Sequence, residues 1–332
     1  MILVKVAEKP ATMINSMKNK LQIMAMLMYL MISGANAQEY IMIQSKLLLD
    51  ARSQLGEGAL WNHKTQTFWW VDIEGKLFNI FDPTTGENRS WDVGQRIGTV
   101  VPDRQGNAIV ALQDGIYRLR LEDVSLELLA KAHHDPTRFR FNDGKCDPAG
   151  RLWVGSMPMD GSQETAALYR MDHDFTLTRV LDGVTISNGI VWTADHSTMY
   201  YIDTPTMEVR EFAFDKKTGE IEFRRVAVTV PQGMGYPDGM TIDKEDKIWI
   251  GHWAGSAVYR WDPVTGDLMA KVEVAAKNVT SCDFGGENMD QLFITTASVG
   301  MSDEERKQLP HAGGLFIAKP EVKGAKSFFF GR

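Results

Sequence analysis

The sequence predicts an all-β fold, a six-bladed β-propeller, because three short motifs recur in a fixed order along the 332-residue chain. Their period is roughly 40 to 50 residues, a range that includes propeller blades. Six units of about four short strands each, with no helical periodicity between them, indicate six blades around a central channel. A β-sandwich is the structural alternative, but it does not predict three motifs in a constant order.

The first motif is an Asp followed six residues later by a large apolar side chain, and it marks a turn between two strands. An Asp can close an Asx-turn onto its own backbone, while the large residue opens the apolar face of the next strand. The copies are Asp103/Ile109, Asp147/Trp153, Asp195/Tyr201 and Asp243/Trp249, with looser copies at 68–72 and 292–296.

The second motif is a short apolar strand that follows each of these turns. It occurs six times, at residues 77–80, 116–119, 168–171, 209–212, 258–261 and 315–318. Three copies run directly into Asp-containing turns, at Asp82, Asp215 and Asp262, as expected for hairpins. Ahead of the first unit, the apolar segment 41–49 is expected to supply the outer strand of the last blade, which closes the ring.

The third motif is a polar pair that opens each unit, and we expect it to lie at the mouth of the channel. The first strand of every blade lines the channel, so the starts of these strands meet around one rim. The pairs are Gly56-Glu57, Ile97-Gly98, Asn142-Asp143, Asn188-Gly189, Asp238-Gly239 and Ser281-Cys282. Four rim positions therefore carry Glu57, Asn142, Asn188 and Asp238.

These four rim side chains predict a site for one divalent metal ion. Burying them without partners would be costly, and no matched set of Lys residues is present to pair with them. Carboxylate and amide oxygens suit Ca²⁺ best, with Mg²⁺, Mn²⁺ or Zn²⁺ as alternatives, and the absence of a His/Cys cluster disfavours a structural zinc site. The alternative role is turn capping, since Asn-Gly and Asp-Gly are ordinary turn dipeptides.

Two further residues are candidates for substrate binding. Arg140 precedes Asn142 by two residues, so strand alternation puts both on the same face, pointing into the mouth. A guanidinium there suits a polyhydroxylated or anionic substrate, with a salt bridge on the rim as the alternative. Asp160, in the loop after the second strand of the same blade, is expected either to reach this pocket or to be a solvated loop acid.

The start of the chain has the features of a leader with a signal peptide, residues 1–37. A basic segment begins at Met17, residues 21–34 are apolar, and Ala35-Asn36-Ala37 fits a cleavage site after Ala37. We therefore expect export to the periplasm or the extracellular space, with residues 38–332 as the propeller domain. The apolar run is shorter than the ~20 residues that span a bilayer, so a membrane anchor is the less favoured alternative.

Charge and cysteine content restrict the partners. A formal net charge of −7, without a cluster of Lys and Arg, argues against nucleic acid or an anionic membrane and favours a small molecule. We expect a monomer or a weak homo-oligomer. Cys146 and Cys282 are the two cysteines. They belong to the inner strands of opposed units, beyond the Cα separation of about 7 Å that a disulfide permits, so both are predicted to be free and buried.

Five separated motifs resemble the family that contains regucalcin (senescence marker protein), gluconolactonases and luciferin-regenerating enzyme. They lie in the same order as in that family, at residues 55–58, 140–145, 186–189, 237–240 and 312–315. The resemblance covers about residues 45–330. It implies that Glu57, Asn188 and Asp238 bind the metal and that Arg140 and Asn142 hold the substrate. The regucalcin position equivalent to Asp160 carries a Glu that contacts sugar hydroxyls, and the acid here is one methylene shorter.

The expected function is metal-dependent hydrolysis of a sugar lactone, from aldonolactone to aldonic acid. The metal would polarise the lactone carbonyl, and Asp238 or Glu57 would take the proton of the attacking water, with Asp160 as a further candidate base. Alternatives are a metal-dependent phosphotriesterase and a non-catalytic calcium-binding propeller. A Ser/His hydrolase is disfavoured because Gly-x-Ser-x-Gly does not occur and the seven His are scattered.

Overall fold

Short strands separated by tight turns make up nearly all of the structure. The computed structural model describes residues 40–331 with the exception of residue 164. Within this part of the chain the strands form six sheets, one of five strands and five of four. The described chain begins with β1 (Ile41–Gln44) and β2 (Lys46–Leu49), which join the last two sheets.

Each sheet is one blade, and its strands follow one another along the chain. Blade 1 contains β3 (Gly56–Asn62), β4 (Thr67–Asp72), β5 (Leu77–Asp82) and β6 (Glu87–Asp92). Blade 2 contains β7 (Ile97–Pro102), β8 (Ala108–Leu112), β9 (Gly115–Leu119) and β10 (Leu126–Lys131). Blade 3 contains β11 (Phe139–Cys146), β12 (Leu152–Pro158), β13 (Ala166–Met171) and β14 (Leu177–Val184).

The second half of the ring repeats this order. Blade 4 contains β15 (Ser187–Trp192), β16 (Thr198–Asp203), β17 (Glu208–Phe214) and β18 (Ile221–Thr229). Blade 5 contains β19 (Tyr236–Ile242), β20 (Ile248–Trp253), β21 (Ala257–Trp261), β22 (Leu268–Glu273) and β1. Blade 6 contains β23 (Asn278–Gly285), β24 (Gln291–Ala297), β25 (Leu315–Ala318) and β2.

The first strands of the blades form a closed ring. β3, β7, β11, β15, β19 and β23 each contact the next in this order, and β23 contacts β3 again. They are almost entirely buried, whereas outer strands such as β10 and β18 are largely exposed. The predicted six-bladed propeller is therefore confirmed, with the inner strands around a central channel.

The repeated Asp closes the turn after the inner strand in blades 2 to 5, as predicted. Asp147 Oδ1 accepts a hydrogen bond from Ala149 N at 2.8 Å, and its Oδ2 accepts one from Trp153 Nε1 at 3.0 Å. Asp243 makes the same bond to Trp249 Nε1 at 3.0 Å. In these two copies the motif joins the turn to a buried Trp. Ile109 and Tyr201 are buried at the same position of the other two copies.

The ring is closed by the first strands of the described chain. β2 pairs antiparallel with β25 as the outer strand of blade 6, which confirms that part of the prediction. The expectation for the rest of segment 41–49 was wrong, because β1 pairs parallel with β22 and extends blade 5. Ser45, between β1 and β2, is the last residue bonded to blade 5 before the chain passes to blade 6. Its N and Oγ both donate to Glu273 O, at 3.2 and 2.6 Å.

The chain end crosses the face of the ring at which the inner strands finish. Backbone bridges join Phe330 to Asp103, Phe328 to Cys146 and Gly324 to Asp243. Each partner lies at or just beyond the end of an inner strand. Residues 324–330 therefore cover the end of the channel opposite the predicted site.

Several smaller predictions can be compared with the structure. Cys146 and Cys282 are both free and buried, as expected. The connection between β24 and β25 of blade 6 contains a short helix, Asp303–Gln308, whose N-terminus is capped by Ser302. Within residues 40–331, no helix is long and apolar enough to cross a membrane. The predicted leader and its cleavage after Ala37 fall outside the described residues, so export stays a prediction.

Candidate active site

The predicted rim residues lie where the inner strands depart from regular pairing. The register of the ladder shifts between Glu57 and Leu60 in β3 and at equivalent points in β11, β15 and β19. Such bulges redirect side chains at the ends of strands. In β3 the bulge contains Gly58, whose φ of +62° is in the left-handed region that favours glycine. Gly58 N donates to Glu57 Oε2 at 3.1 Å and so orients the carboxylate.

The rim residues surround one cavity of about 350 Å³. Five of the six residues predicted for the site line it: Glu57, Arg140, Asn142, Asn188 and Asp238. They come from four different blades, so the fold brings together side chains that are far apart in sequence. The remaining lining residues are Leu55, Met157, Ile186, Thr204, Pro205, Tyr236 and Trp253.

A chain of hydrogen bonds connects three neighbouring blades across the floor of the cavity. Arg140 Nη1 donates to Asn142 Oδ1 at 2.5 Å, and Asn142 Nδ2 donates to Asn188 Oδ1 at 3.0 Å. Asn188 Nδ2 donates to Thr204 Oγ1 at 2.7 Å, and Thr204 Oγ1 donates to Pro237 O at 2.8 Å. Because every member is buried, these bonds fix both amide orientations and the position of the guanidinium.

Two acidic side chains are buried in the cavity. Glu57 and Asp238 are each only 5% exposed. Burial, followed by the charge of Asp143, raises the pKa of Glu57 to about 8. Burial, then the charges of Glu57 and Asp143, raises the pKa of Asp238 well above its ordinary value. Burial also lowers the pKa of Arg140 to about 10, and Arg140 is the one Lys or Arg among the described residues that line the cavity.

This arrangement fits a hard divalent cation. Two buried carboxylates repel each other, and a cation between them would remove both the repulsion and the cost of burial. The amide oxygen of Asn188 adds a neutral donor of the type that Ca²⁺ and Mg²⁺ accept. Within the described residues, no three His, Cys, Asp or Glu side chains are grouped so that they could hold a metal. A site here would therefore depend on the amide together with Glu57 and Asp238.

The structure does not bring Asp160 into the cavity. Its side chain is 56% exposed and lies 3.8 Å from Arg138 Nη2. Asp160 Oδ1 accepts a hydrogen bond from Ser162 N at 3.0 Å, so the short side chain closes a turn within its own loop. Of the two roles considered for Asp160, the loop acid is the one that this geometry matches.

Two polar residues near the site were not assigned from the sequence. Thr204 lies in a 3-10 turn, Thr204–Thr206, directly after β16, and a polar residue at the end of that strand was its only sequence signal. Asp143 is the second member of the rim pair Asn142-Asp143. Its Oδ2 is buried without a hydrogen-bond partner among the described residues, and its charge acts on both Glu57 and Asp238.

The fold and the cavity together define a class: six-bladed propellers with a pocket of carboxylate and amide side chains at the channel mouth. Residues 55–298 match the SMP-30/Gluconolactonase/LRE-like region, and the chain belongs to this family. The resemblance seen in the five motifs is thereby confirmed.

Curated relatives and solved structures agree with this assignment. The chain is 40% identical to the Bacillus subtilis protein named "Putative sugar lactone lactonase YvrE", over 83% of this chain and 94% of that protein. It is 35% identical to regucalcin of Xenopus laevis, over 85% of this chain and 96% of that protein. A crystal structure from Agrobacterium tumefaciens, described as regucalcin, a calcium-binding protein, superposes with a TM-score of 0.84. It is 24% identical and covers 89% of this chain and 100% of its own, which supports the fold.

Proposed function

We propose that the protein is a hydrolase that opens a sugar lactone, aldonolactone to aldonic acid, with the help of one divalent metal ion. The observation that carries the proposal is the pair of buried carboxylates, Glu57 and Asp238, which reach one cavity from blades 1 and 5. The family includes proteins named as lactonases, among them the Bacillus subtilis relative. Ca²⁺ is the first candidate ion, because oxygen donors on a propeller rim suit it.

The residues have separate tasks in this proposal. Glu57, Asn188 and Asp238 hold the ion, which when bound would polarise the lactone carbonyl. Arg140, fixed by its bond to Asn142 Oδ1, presents its remaining N–H groups to the substrate. Asn142 is committed to Asn188 through its amide nitrogen and so positions a metal ligand.

Hydrolysis also needs a proton acceptor for the attacking water. We propose a carboxylate oxygen of Asp238 or Glu57, whichever the ion engages less fully, because both line the cavity and both are buried. The proton then passes to the ring oxygen of the substrate as the acyl C–O bond breaks. Asp160 is not needed for this step, since it lies in the solvent-exposed loop.

The test is hydrolysis of glucono-δ-lactone by protein stripped with a chelator and then supplied with Ca²⁺, Mg²⁺, Mn²⁺ or Zn²⁺. We expect loss of activity after stripping, recovery with at least one ion, and loss of both bound ion and activity in Asp238→Asn. Asp174→Asn, an exposed hairpin acid, is the matched control and should behave as the parent. Full activity without metal would refute the proposal. Turnover of an organophosphate ester but of no lactone would refute it in favour of a metal-dependent phosphotriesterase.

A further inference from the structure

The cavity has a charged floor but apolar walls. Tyr236 and Trp253 are direct cross-strand partners in blade 5, so their side chains lie on the same face of the sheet. Tyr236 is two residues before Asp238 and is 51% exposed. Met157 is the cross-strand partner of Arg140 in blade 3. Leu55, Ile186 and Pro205 complete a wall of six apolar or aromatic residues.

Several polar groups of the floor are already bonded to protein. Asn142 Nδ2 donates to Ser187 O at 2.7 Å as well as to Asn188 Oδ1. Thr204 Oγ1 accepts from Asn188 and donates to a backbone carbonyl. Arg140 Nη1 is used by two oxygens of its own strand. The groups left for a ligand are the remaining N–H groups of Arg140 and the carboxyl oxygens of Glu57 and Asp238. Hydroxyls on the part of a substrate that faces the apolar wall would be buried without partners, which is unfavourable.

Asp160, for which the sequence left open a role in the pocket or in a solvated loop, also lies outside the cavity. Asp160 is exposed and bonded within its own loop, so the wall next to Arg140 is formed by Met157. Apolar walls favour apolar ligand groups, because burying them removes apolar surface from water. Aromatic side chains add a flat surface against which a ring or an alkyl chain can pack.

We infer that the site favours lactones that carry an alkyl or aryl substituent over fully hydroxylated ones. The inference rests on the proposed lactone hydrolysis: a sugar lactone is still opened, but less efficiently than a lactone whose apolar substituent faces the wall of Tyr236 and Trp253. The reaction is unchanged: water adds its hydroxyl to the acyl carbon, the acyl C–O bond of the ring breaks, and the ring oxygen gains the proton. The product is then a hydroxy acid with an apolar end.

The experiment compares three lactones on the metal-loaded full chain: δ-valerolactone without a substituent, δ-nonalactone with a four-carbon chain, and glucono-δ-lactone. Hydrophobic sites discriminate a single methylene by roughly tenfold or more, so we expect kcat/KM for δ-nonalactone to exceed that for δ-valerolactone at least tenfold. We also expect it to exceed that for glucono-δ-lactone after correction for uncatalysed hydrolysis.

Variants assign the preference to the wall. Tyr236→Ala and Trp253→Ala should each lower the δ-nonalactone to δ-valerolactone ratio about tenfold, as expected when an apolar contact is removed. Tyr236 is half-exposed, so its variant remains informative if the more buried Trp253 variant fails to fold. Phe223→Ala is the matched control, because Phe223 is 54% exposed on an outer strand, and its ratio should equal that of the parent.

Three results would contradict the inference, and they are distinguishable. Turnover of glucono-δ-lactone with a kcat/KM equal to or above that of δ-nonalactone overturns the substrate preference and leaves lactone hydrolysis intact. Absence of turnover with all three lactones overturns the proposed function, and the inference with it. An unchanged ratio in both wall variants overturns the role of the aromatic pair.

Discussion

Replacing Asp238 by Asn should change how the stability of the metal-free protein depends on pH. Burial raises the pKa of both Asp238 and Glu57 in the folded protein. The folded protein therefore retains protons that the unfolded chain releases near its ordinary carboxyl pKa values. As pH rises from those values through the folded pKa, the free energy of unfolding falls, so this contribution is favourable at low pH and lost toward pH 8.

The expected size follows from the shift of Glu57. Its pKa moves from 4.5 to about 8, and each retained proton changes the free energy of unfolding by about 1.4 kcal/mol per pH unit. Between pH 5.5 and 7.5 one such proton corresponds to about 3 kcal/mol, and Asp238 adds a second contribution of the same sign. Asp238→Asn removes that second contribution, and with it the part of the raised pKa of Asp238 that comes from the charge of Glu57.

Urea unfolding with a chelator present, at several pH values between 5.5 and 7.5, measures this difference. The parent should lose stability steeply with rising pH, and Asp238→Asn less steeply because one of the buried carboxyls with a raised pKa is gone, which makes the metal-free variant the more stable protein at pH 7.5. Adding Ca²⁺ should stabilise the parent and not the variant, since the ion replaces the protons. Parallel pH profiles for the two proteins would refute the idea of two interacting buried carboxyls, and Asp174→Asn controls for loss of an ordinary surface acid.

Four further outcomes are expected. Arg140→Lys should lower kcat/KM about 100-fold with little loss of bound ion. The guanidinium bonds to Phe141 O and Asn142 Oδ1 and still has N–H groups left for the substrate, and an ammonium cannot do both. Kinetics measures the first effect and metal content the second. Asp160→Asn should leave kcat/KM within about twofold, since the residue lies outside the cavity, and a larger loss would show that its loop reaches the substrate. Cys146 and Cys282 should react with a thiol reagent only after unfolding, because both are buried with a raised pKa. Asp147→Ala should lower the free energy of unfolding by about 3–5 kcal/mol in urea titrations, because it leaves a buried Arg unpaired.

The ring and its rim were predictable because each blade repeats a local pattern. The bond from Trp153 Nε1 to Asp147 Oδ2 joins residues six positions apart, so a recurring spacing of six residues in the sequence predicts the turn. Once the number of blades was known, the start of every inner strand had to meet at one rim. Glu57, Asn142, Asn188 and Asp238 accordingly line one cavity. Their roles toward a metal and a substrate stay predictions.

Features that depend on non-local geometry could not be obtained in this way. β1 changes blades through bonds from Ser45 to a residue far along the chain, which no local pattern contains. The cavity wall formed by Tyr236 and Trp253 depends on the register of β19 against β20 next to a bulge. Asp160 was ambiguous because the path of a long loop decides whether its acid faces the pocket or closes a turn.

The seam of the propeller lies in blade 6, where β2 from the start of the described chain meets β25 near its end. Blade 6 has blades 5 and 1 as its neighbours, and these carry Asp238 and Glu57. An ion shared by the two carboxylates would link blade 1 to blade 5 and so hold together the two blades that flank the one in which the ring closes. Uptake of the ion by a newly made chain would then report that the circle has been completed, since an open ring would hold the two acids apart.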